Sequence, residues 1–396
     1  MRLLHTSDWH LGRRLHGVAL QRAHELYLDH LVEVVRSERV DAVLLAGDVY
    51  DRAVPPPEST ALFDDALTRV VDAGAQVVVS SGNHDSAVRL GFGAGLLSRA
   101  GVRMCTTTAG VGKPVLVGDV AVYALPYLEP AVAGDDLGAA ERTHAGTLRA
   151  AMARVRADAA GRGHAVVVSA HAFVAGGLSS ESERDISVGG VSAVPPEVFA
   201  GADLVALGHL HGAQTLAETV RYSGSPVAMS FGEVGQVKGS YLWDIEGGPS
   251  GARVRGEFVT APVERPLRVL RGELAALLGD PALLGAEAAY CQVVLTDPVR
   301  PEGALDRVRV RFPHTLRLEF QPSGTAVVLP HPYAARTAER GPVEVCDDFL
   351  GHVRGGRGAS AAERAVLVEA FDAARLERAE VDDSARRVVG PARGVA

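Results

Sequence analysis

The candidate metal ligands of this chain lie in short polar segments. Each of these segments follows an apolar, strand-like run. Each segment places Asp, Asn or His on a loop directly after such a run. Carboxylate, imidazole and amide oxygen groups are the ligands that hard and borderline divalent metals prefer. A pair of adjacent metals needs roughly seven such groups, gathered from distant parts of the chain by the fold. The segments supply seven candidates: Asp8, His10, Asp48, Asn83, His171, His209 and His211.

Each segment alone is a weak indication, whereas their combination is a strong one. An Asp-x-His tripeptide such as 8–10, or a lone Gly-Asp such as 47–48, is usually an ordinary turn. The tetrapeptide Gly-Asn-His-Asp at 82–85 after a strand is much rarer. His209 and His211 are two residues apart, so on extended backbone their side chains point the same way. We therefore interpret the segments together as one site for two metals.

Alternating strand and helix patterns must position these segments. Apolar runs predict buried strands at 1–6, 42–46, 76–80, 165–169 and 203–207. Helical spacing predicts helices at 21–37, 57–73, about 86–99 and 138–160. This alternation indicates a layered α/β sandwich with mostly parallel core strands. Every candidate ligand follows the carboxyl end of an apolar run, where open α/β sheets place their sites.

The order of these motifs resembles that of the calcineurin-like metallophosphoesterases, which is DxH, GD, GNHD, H and GHxH. The opening RLLHTSDWHLG and the later GHLH resemble the nuclease branch, and within it the SbcD-type nuclease subunits of SbcCD complexes. The resemblance covers residues 1–260 and, more weakly, the rest of the chain. It implies an α/β fold: a calcineurin-like β-sandwich flanked by helices, with a small α+β cap domain and C-terminal helices.

Four regions are predicted along the chain. Residues 1–262 would form the metallophosphoesterase nuclease domain, and 263–338 a small capping domain that orients DNA. Residues 339–380 would form a C-terminal helical segment that docks the ATPase partner. The stretch 381–396 lacks hydrophobic periodicity and is predicted to be a disordered tail.

The resemblance also implies a role for each residue of the site. One metal would bind Asp8, His10 and His211, the other would bind Asn83, His171 and His209, and Asp48 would bridge both through its two carboxylate oxygens. The family implies Mn²⁺. The mixed nitrogen and oxygen ligand set fits Mn²⁺ without excluding Zn²⁺, Fe²⁺ or Mg²⁺.

Hydrolysis of a phosphoester is the chemistry expected from such a site. Two cations lower the pKa of a bridging water, so that hydroxide is available near neutral pH, and they offset negative charge in the transition state. His84 is predicted to contact the phosphate or protonate the leaving oxygen. Asp85 is predicted to hold His84 in its charged form. The alternatives are a structural histidine and a turn cap, respectively. Roles stay open for five nearby residues: Arg13, Arg14, His16, Asp51 and Arg52.

The expected partners are DNA and an ATPase subunit. The net charge of −8 does not favour a protein that holds DNA alone through phosphate contacts. The family implies an SbcC-type ABC/SMC-like ATPase, and a homodimer of this chain within a heterotetramer. Residues 108–113 do not form a nucleotide-binding P-loop, because Thr107 and Pro114 replace the required Gly and Ser/Thr. An odd number of cysteines without CxxC spacing, no signal-peptide layout and no membrane-length apolar run predict a cytoplasmic protein, and the resemblance to a DNA nuclease implies association with the nucleoid.

The resulting prediction is a metal-dependent DNA nuclease subunit that acts with the ATPase in repair and recombination. The family implies 3′→5′ exonuclease action on double strands and endonuclease action on single strands and hairpins. One alternative is a metallophosphoesterase of a small phosphodiester or cyclic nucleotide, which would share the metal site but need no cap or docking tail. A second alternative is a non-catalytic scaffold, which the complete ligand set disfavours.

Overall fold

The computed structural model describes residues 1–184, 186, 193–247, 252–323 and 341–373. The chain divides into two units: Met1–Leu295 with Pro301–Phe320, and Thr296–Arg300 with Gln321–Ala396. The domain boundaries expected at 262, 338 and 380 stay predictions. The last two of them, and the tail expected at 381–396, lie outside the described residues.

The described residues of the first unit form 17 strands. In chain order they are β1 (Arg2–Thr6), β2 (Arg14–Leu15), β3 (Val18–Ala19), β4 (Ala42–Ala46), β5 (Gln76–Ser80), β6 (Val102–Cys105), β7 (Val115–Val117), β8 (Val120–Leu125), β9 (Ala165–His171), β10 (Leu204–Gly208), β11 (Gln214–Ala217), β12 (Val220–Tyr222), β13 (Gly239–Glu246), β14 (Arg253–Thr260), β15 (Leu267–Gly272), β16 (Tyr290–Leu295) and β17 (Thr315–Phe320).

The helices are α1 (Gln21–Ser37), α2 (Pro57–Asp72), α3 (Ala87–Leu90), α4 (Ala94–Leu97), α5 (Pro130–Leu137), α6 (His144–Ala159), α7 (Leu274–Gly279), α8 (Ala304–Arg311) and α9 (Pro342–Val353). The single helix predicted at about 86–99 is wrong, because Gly93 adopts a left-handed φ of 72° and separates α3 from α4. The helix predicted from 138 begins later, where the Thr143 side chain accepts a hydrogen bond from the backbone N–H of Gly146. Among the described residues, no helix combines the length and apolarity that crossing a membrane requires.

Two six-stranded sheets pack face to face. Their orders are β14-β13-β1-β4-β5-β6 and β11-β12-β10-β9-β8-β7, and the core strands of each run parallel. Side chains from both sheets form the layer between them, among them Leu3, Leu44, Val78, Val167 and Trp243. Burial of each such Leu or Val side chain contributes about 1.5–3 kcal/mol. The predicted α/β sandwich is confirmed.

Helices cover the outer faces of the sandwich. Helices α1 and α2 bury apolar side chains such as Leu31 and Phe63 against the first sheet. Helices α5 and α6 bury Leu137 and Met152 against the second sheet. Because β1, β4, β5, β9 and β10 are parallel within their sheets, the loops that follow them can meet at one edge of the sandwich.

The remainder of the first unit is a small parallel sheet in the order β15-β16-β17. Helices α7 and α8 pack on it around a core of its own, which includes Leu274, Val293, Val308 and Phe312. The parallel strands alternate with the helices in the chain order β15, α7, β16, α8 and β17, and the assignment of this region as a cap stays a prediction.

The second unit contains the helical part predicted for the C-terminus. It comprises α9 and a further helical stretch at 361–373. Ser360 and Glu363 cap that stretch reciprocally, since each side chain accepts a hydrogen bond from the other residue's backbone N–H. An ion pair of 3.0 Å between Arg354 and Glu363 joins the stretch to the residue that follows α9.

Acid is expected to weaken the sandwich through His5. Its Nε2–H donates to the carbonyl of Leu207, 3.0 Å away, and so joins β1 to β10 of the other sheet. Burial lowers the pKa of His5 to about 4, whereas an unfolded histidine titrates near 6.5. The unfolded state therefore takes up a proton first as the pH falls, which costs about 2 kcal/mol of stability between pH 7.5 and 5.

Urea unfolding at both pH values, in the presence of a chelator, measures this loss. The His5→Gln variant keeps a donor but cannot titrate, and should show a pH dependence smaller by that amount. The same pH dependence in both proteins would contradict the assignment.

Candidate metal centre and active site

Five loops deliver the predicted ligands to one edge of the sandwich. Asp8 and His10 follow β1, Asp48 follows β4, and Asn83 follows β5 of the first sheet. In the second sheet, His171 ends β9, and His209 and His211 follow β10. The site therefore draws on both sheets.

Several of these residues adopt an unusual backbone conformation. Four have a positive φ: Asp8 (53°), His10 (45°), Asp48 (51°) and His209 (109°). Hydrogen bonds between loops hold this geometry, since Asp8 N donates to Gly47 O and His10 N donates to Asp48 O, both at 3.0 Å. Backbone strain of this kind concentrates at functional sites.

The first cluster consists of Asp8, His10 and His211, which are all buried. One potential ligand atom from each lies within 4.8 Å of the others. The Nε2 atoms of His10 and His211 are 3.1 Å apart. A proton between two nitrogens at that distance is bonded to only one of them. The other nitrogen therefore has a lone pair that could bind a metal. The carboxylate of Asp8 also accepts the backbone N–H of His209 at 3.1 Å.

The second cluster is centred on the Asn83 amide oxygen. Asn83 Oδ1 lies 2.9 Å from His171 Nε2 and 3.3 Å from His209 Nδ1. The ring of His171 is fixed by its Nδ1–H, which donates to Ala46 O at 2.9 Å, so Nε2 faces the cluster. Asn83 Nδ2 is buried without a hydrogen-bond partner among the described residues.

Asp48 lies between the two clusters. Its Oδ2 is 3.5 Å from His10 Nε2 in the first and 3.4 Å from His171 Nε2 in the second. Its Oδ1 accepts the backbone N–H of His84 at 2.8 Å. The structure thus brings all seven predicted ligands together, with the carboxylate predicted to bridge at the centre.

The electrostatics of the site favour bound cations. Burial raises the pKa of Asp8 to about 6, although His171 and His211 oppose this. Burial opposes ionisation of Asp48 too, but His171 and then His10 lower its pKa well below the usual range. Burial lowers the pKa of His209 to about 3, which leaves its ring neutral and able to donate a lone pair. Burial opposes protonation of His171, but Asp48 raises its pKa to about 9. A divalent metal would take the place of the proton that these closely packed carboxylate and imidazole groups share.

His84 lies beside the clusters with one ring nitrogen already engaged. Its Nδ1–H donates to the carbonyl of Asp51 at 2.9 Å, and its ring meets that of His10 edge-on at 4.6 Å. A ligand atom of His84 also lies within 4.8 Å of His10 and Asp48. The Asp51 carbonyl therefore fixes the orientation of the ring through Nδ1.

The role predicted for Asp85 has to be corrected. Its carboxylate accepts the backbone N–H groups of Val49 (3.1 Å), Tyr50 (3.0 Å) and Gly82 (2.9 Å). The partner that orients His84 is the Asp51 carbonyl instead. Through these backbone N–H groups, Asp85 joins the loops after β4 and β5.

The open roles of the nearby cationic residues are partly resolved. Arg13 bonds within the protein, to Asp51 at 2.9 Å and to the carbonyl of Ser182 at 3.5 Å. Arg14 bonds to the carbonyl of Gly17, and His16 stacks on Phe231 at 5.4 Å. These contacts brace the loop after β1.

Glycines permit the close approach of the ligand loops, a requirement that the types of the ligand residues do not reveal. A Cβ at Gly82 would lie 2.1 Å from Asp48 Oδ1, and one at Gly47 would lie 2.3 Å from His171 Nδ1. At Gly208 it would lie 1.9 Å from the carbonyl oxygen of Ala46. The signal for it is the Gly that precedes Asp48, Asn83 and His209 in the sequence.

Gly208→Ala is expected to destabilise the protein by about 3 kcal/mol or more, because the clash is with backbone of the other sheet and no side chain can move aside. Urea unfolding of the metal-free protein measures the loss. Gly161→Ala serves as the control, since a Cβ there meets no atom within 4 Å. Equal stability of the two variants would contradict the close packing of β10 on β4.

Comparison with known proteins places this geometry in a family. The calcineurin-like phosphoesterase family model matches residues 1–213, which include every candidate ligand. The SbcD subunit of the nuclease SbcCD from Rhodobacter capsulatus is 38% identical over 76% of this chain and 78% of its own length. The chain belongs to the SbcD family of calcineurin-like phosphoesterases.

Other members of the SbcD family match over similar spans. The SbcD subunit of the nuclease SbcCD from Escherichia coli K12 is 31% identical over 70% of this chain and 72% of its own length. That of Staphylococcus saprophyticus is 28% identical over 81% and 85%. Membership of this family and the Asp/His clusters together indicate a divalent-metal site.

Proposed function

We propose that this SbcD-family chain is a metal-dependent DNA nuclease that hydrolyses phosphodiester bonds. The observation that carries the proposal is Asp48, a buried carboxylate within 3.5 Å of an imidazole nitrogen in each of two ligand clusters. Two-metal phosphoesterases use such a bridge. The relatives, which are named as nuclease subunits, support DNA as the substrate.

The proposed ligands are those expected from the sequence. Asp8, His10 and His211 hold one ion, Asn83, His171 and His209 hold the other, and Asp48 bridges them. Mn²⁺ suits this mixture of imidazole, carboxylate and amide oxygen donors. When bound, the two ions supply a nucleophilic hydroxide near neutral pH and offset negative charge on the phosphate.

The residues of the chain orient the reaction. The Asp51 carbonyl fixes His84 by accepting its Nδ1–H, so that Nε2 is the nitrogen able to contact the phosphate or deliver a proton to the leaving oxygen. The carboxylate of Asp85 ties the loop of Asp48 to the loop of His84 through backbone N–H groups. These hydrogen bonds keep the distance between Asp48 and His84 constant.

The proposed activities are 3′→5′ exonuclease action on duplexes and endonuclease action on single strands and hairpins. The chain would act in the cytoplasm, at the nucleoid, with an SbcC-type ATPase. The apolar residues that α9 and the 361–373 stretch expose support a docking role for the second unit: Phe349, Val353, Val366 and Val368. The small α+β region would orient the DNA.

The decisive experiment compares substrates. The chain is assayed with Mn²⁺ on a 3′-labelled duplex, a DNA hairpin and bis-p-nitrophenyl phosphate, with and without the ATPase partner. Cleavage of both DNAs supports the nuclease. Hydrolysis of the small diester without DNA cleavage, even with the ATPase present, would favour a phosphoesterase of small phosphodiesters or cyclic nucleotides.

An exposed apolar patch supports the proposed homodimer. It consists of Val88, Phe92 and Leu96, which lie on and between α3 and α4, and the side chains of Val88 and Phe92 are 84% and 86% exposed. Patches of this kind on a soluble domain mark interaction surfaces. The patch follows the loop of Asn83 and His84, so dimerisation there would set two active sites in a fixed relation.

Phe92→Glu is expected to convert the dimer to a monomer at micromolar concentration, because it would bury a carboxylate at the interface. Light scattering after gel filtration measures the mass. Val310→Glu is the matched control, since Val310 is 87% exposed and belongs to α8 rather than to the patch. A dimer that survives Phe92→Glu would place the interface elsewhere.

A further inference from the structure

A buried polar cluster supports His211 from the side opposite to His10. It contains Ser182, Glu233 and Lys238, whose side chains have little or no exposure to solvent. Ser182 Oγ lies 2.7 Å from His211 Nδ1 and 2.5 Å from Glu233 Oε1. Ser182 lies between β9 and β10, Glu233 and Lys238 lie in the connection between β12 and β13, and none of them belongs to a predicted motif.

The direction of the hydrogen bonds in this cluster is determined by Glu233. Lys238 Nζ contacts Glu233 Oε2 at 2.5 Å, and Met229 N donates to the same oxygen at 3.2 Å. Ser230 Oγ donates to Glu233 Oε1 at 3.2 Å as well, so this carboxylate is paired with an ammonium group and surrounded by donors. An ionised carboxylate can only accept, so the hydroxyl of Ser182 donates to Glu233.

The direction of the hydrogen bond from Ser182 to Glu233 also determines which nitrogen of His211 is protonated. Because the Ser182 proton points to Glu233, Ser182 Oγ is left as an acceptor for the Nδ1–H of His211. A neutral imidazole with its proton on Nδ1 has a lone pair on Nε2. The Nε2 of His211 is the atom that lies 3.1 Å from His10 Nε2, on the side of the first cluster.

The backbone of His211 is held by the same surroundings. Lys238 Nζ donates to the carbonyl of His211 at 2.8 Å, and the backbone N–H of His211 donates to Glu183 Oε1 at 2.8 Å. The ring and the backbone are thus fixed from the same side, and the segment with Ser182 and Glu183 becomes a wall of the site.

We propose that Glu233, acting through Ser182, is a positioning residue that keeps the proton of His211 on Nδ1 and presents Nε2 to the divalent metal. This inference rests on the metal-binding role assigned to His211 in the proposed function. Partners that orient a ligating histidine typically change metal affinity by about 10- to 100-fold when they are removed.

Ser182→Ala is the first test, because it interrupts the relay and leaves the Glu233–Lys238 pair intact. We expect Mn²⁺ to bind one of the two sites about 10- to 100-fold more weakly in isothermal titration calorimetry. In the metal-free, ¹⁵N-histidine-labelled protein, the His211 resonances should shift from the Nδ1–H toward the Nε2–H form. Ser182→Thr keeps the hydroxyl and should restore both readouts.

Glu233→Gln is the second test and should also move the His211 proton to Nε2, because it reverses the relay instead of interrupting it. The Gln amide can donate to Ser182 Oγ, whose hydroxyl then donates to His211 Nδ1 and drives the ring proton to Nε2. The matched control is Glu181→Gln. Glu181 is an exposed carboxylate next to Ser182, and its replacement should change neither the His211 tautomer nor the Mn²⁺ affinity.

The outcomes separate the relay from the metal site. An unchanged His211 tautomer and unchanged Mn²⁺ affinity in Ser182→Ala would overturn the positioning role. Failure of the unaltered protein to bind Mn²⁺ would instead overturn the proposed metal centre. In that case, an Nδ1–H form of His211 that depends on Ser182 would still support the relay.

Discussion

Replacement of His84 by Gln is expected to lower Mn²⁺-dependent DNA cleavage by about 10²- to 10⁴-fold, the range typical for loss of a general acid or base. Gln can hydrogen-bond to a phosphate but cannot deliver a proton to the leaving oxygen. Because the Nδ1–H of His84 is bonded to the Asp51 carbonyl, its other nitrogen is the one available for chemistry. Initial rates on a 3′-labelled duplex measure the loss.

Metal content separates this role from that of a ligand. The Gln variant should still bind two Mn²⁺ ions with unchanged affinity. His164→Gln is a suitable control, because its ring lies at the surface and bonds to the carbonyl of Arg162. Loss of one ion in His84→Gln would make His84 a ligand together with His10 and Asp48, an arrangement that their mutual distances allow.

Asp48→Asn is expected to weaken metal binding and DNA cleavage more than any other single substitution in the site. Asn keeps an oxygen for the His84 N–H and tolerates the positive φ of 51°, so the loop can retain its shape. It lacks the negative charge that lies between the two clusters. We therefore expect Mn²⁺ affinity to fall by more than about 100-fold and cleavage to fall with it.

Calorimetry and the metal content after gel filtration measure this effect. Asp64→Asn on the exposed face of α2 provides the control for loss of one carboxylate. Retention of two tightly bound ions by Asp48→Asn would mean that the bridging position belongs to another residue.

The core strands and the ligand loops could be predicted from the sequence because each signal is local. Runs such as AVLLA at 42–46 are entirely buried in β4, and each ends at the residues that form the site. The candidate ligands can then be predicted from the residue types at the carboxyl ends of the parallel strands. Helix α1 could be predicted at its observed bounds because seven buried positions recur along one face.

The remaining features depend on distant contacts or on backbone conformation. Gly91 and Gly93 interrupt a segment whose apolar spacing is helical. Strand β15 could not be predicted, since its exposed, Arg-containing sequence gains its pairing from β16. The relay through Ser182 and Glu233 joins residues 51 positions apart and carries no motif. The contacts of Asp85 could not be predicted from its position next to His84, because adjacent residues in a loop need not contact each other or the same group.

The candidate metal ligands come from both sheets, so bound ions would make the stability of the two sheets interdependent. The first candidate ligand, Asp8, precedes the last, His211, by most of the family domain, and the unfolded chain cannot hold them together. Thermodynamic linkage then requires that metal stabilise the folded state, by about 2.7 kcal/mol when free metal is 100 times its dissociation constant. Removal of metal by a chelator should therefore do more than stop catalysis. It should lower the melting temperature of the whole sandwich and open both sheets to proteolysis and hydrogen exchange together.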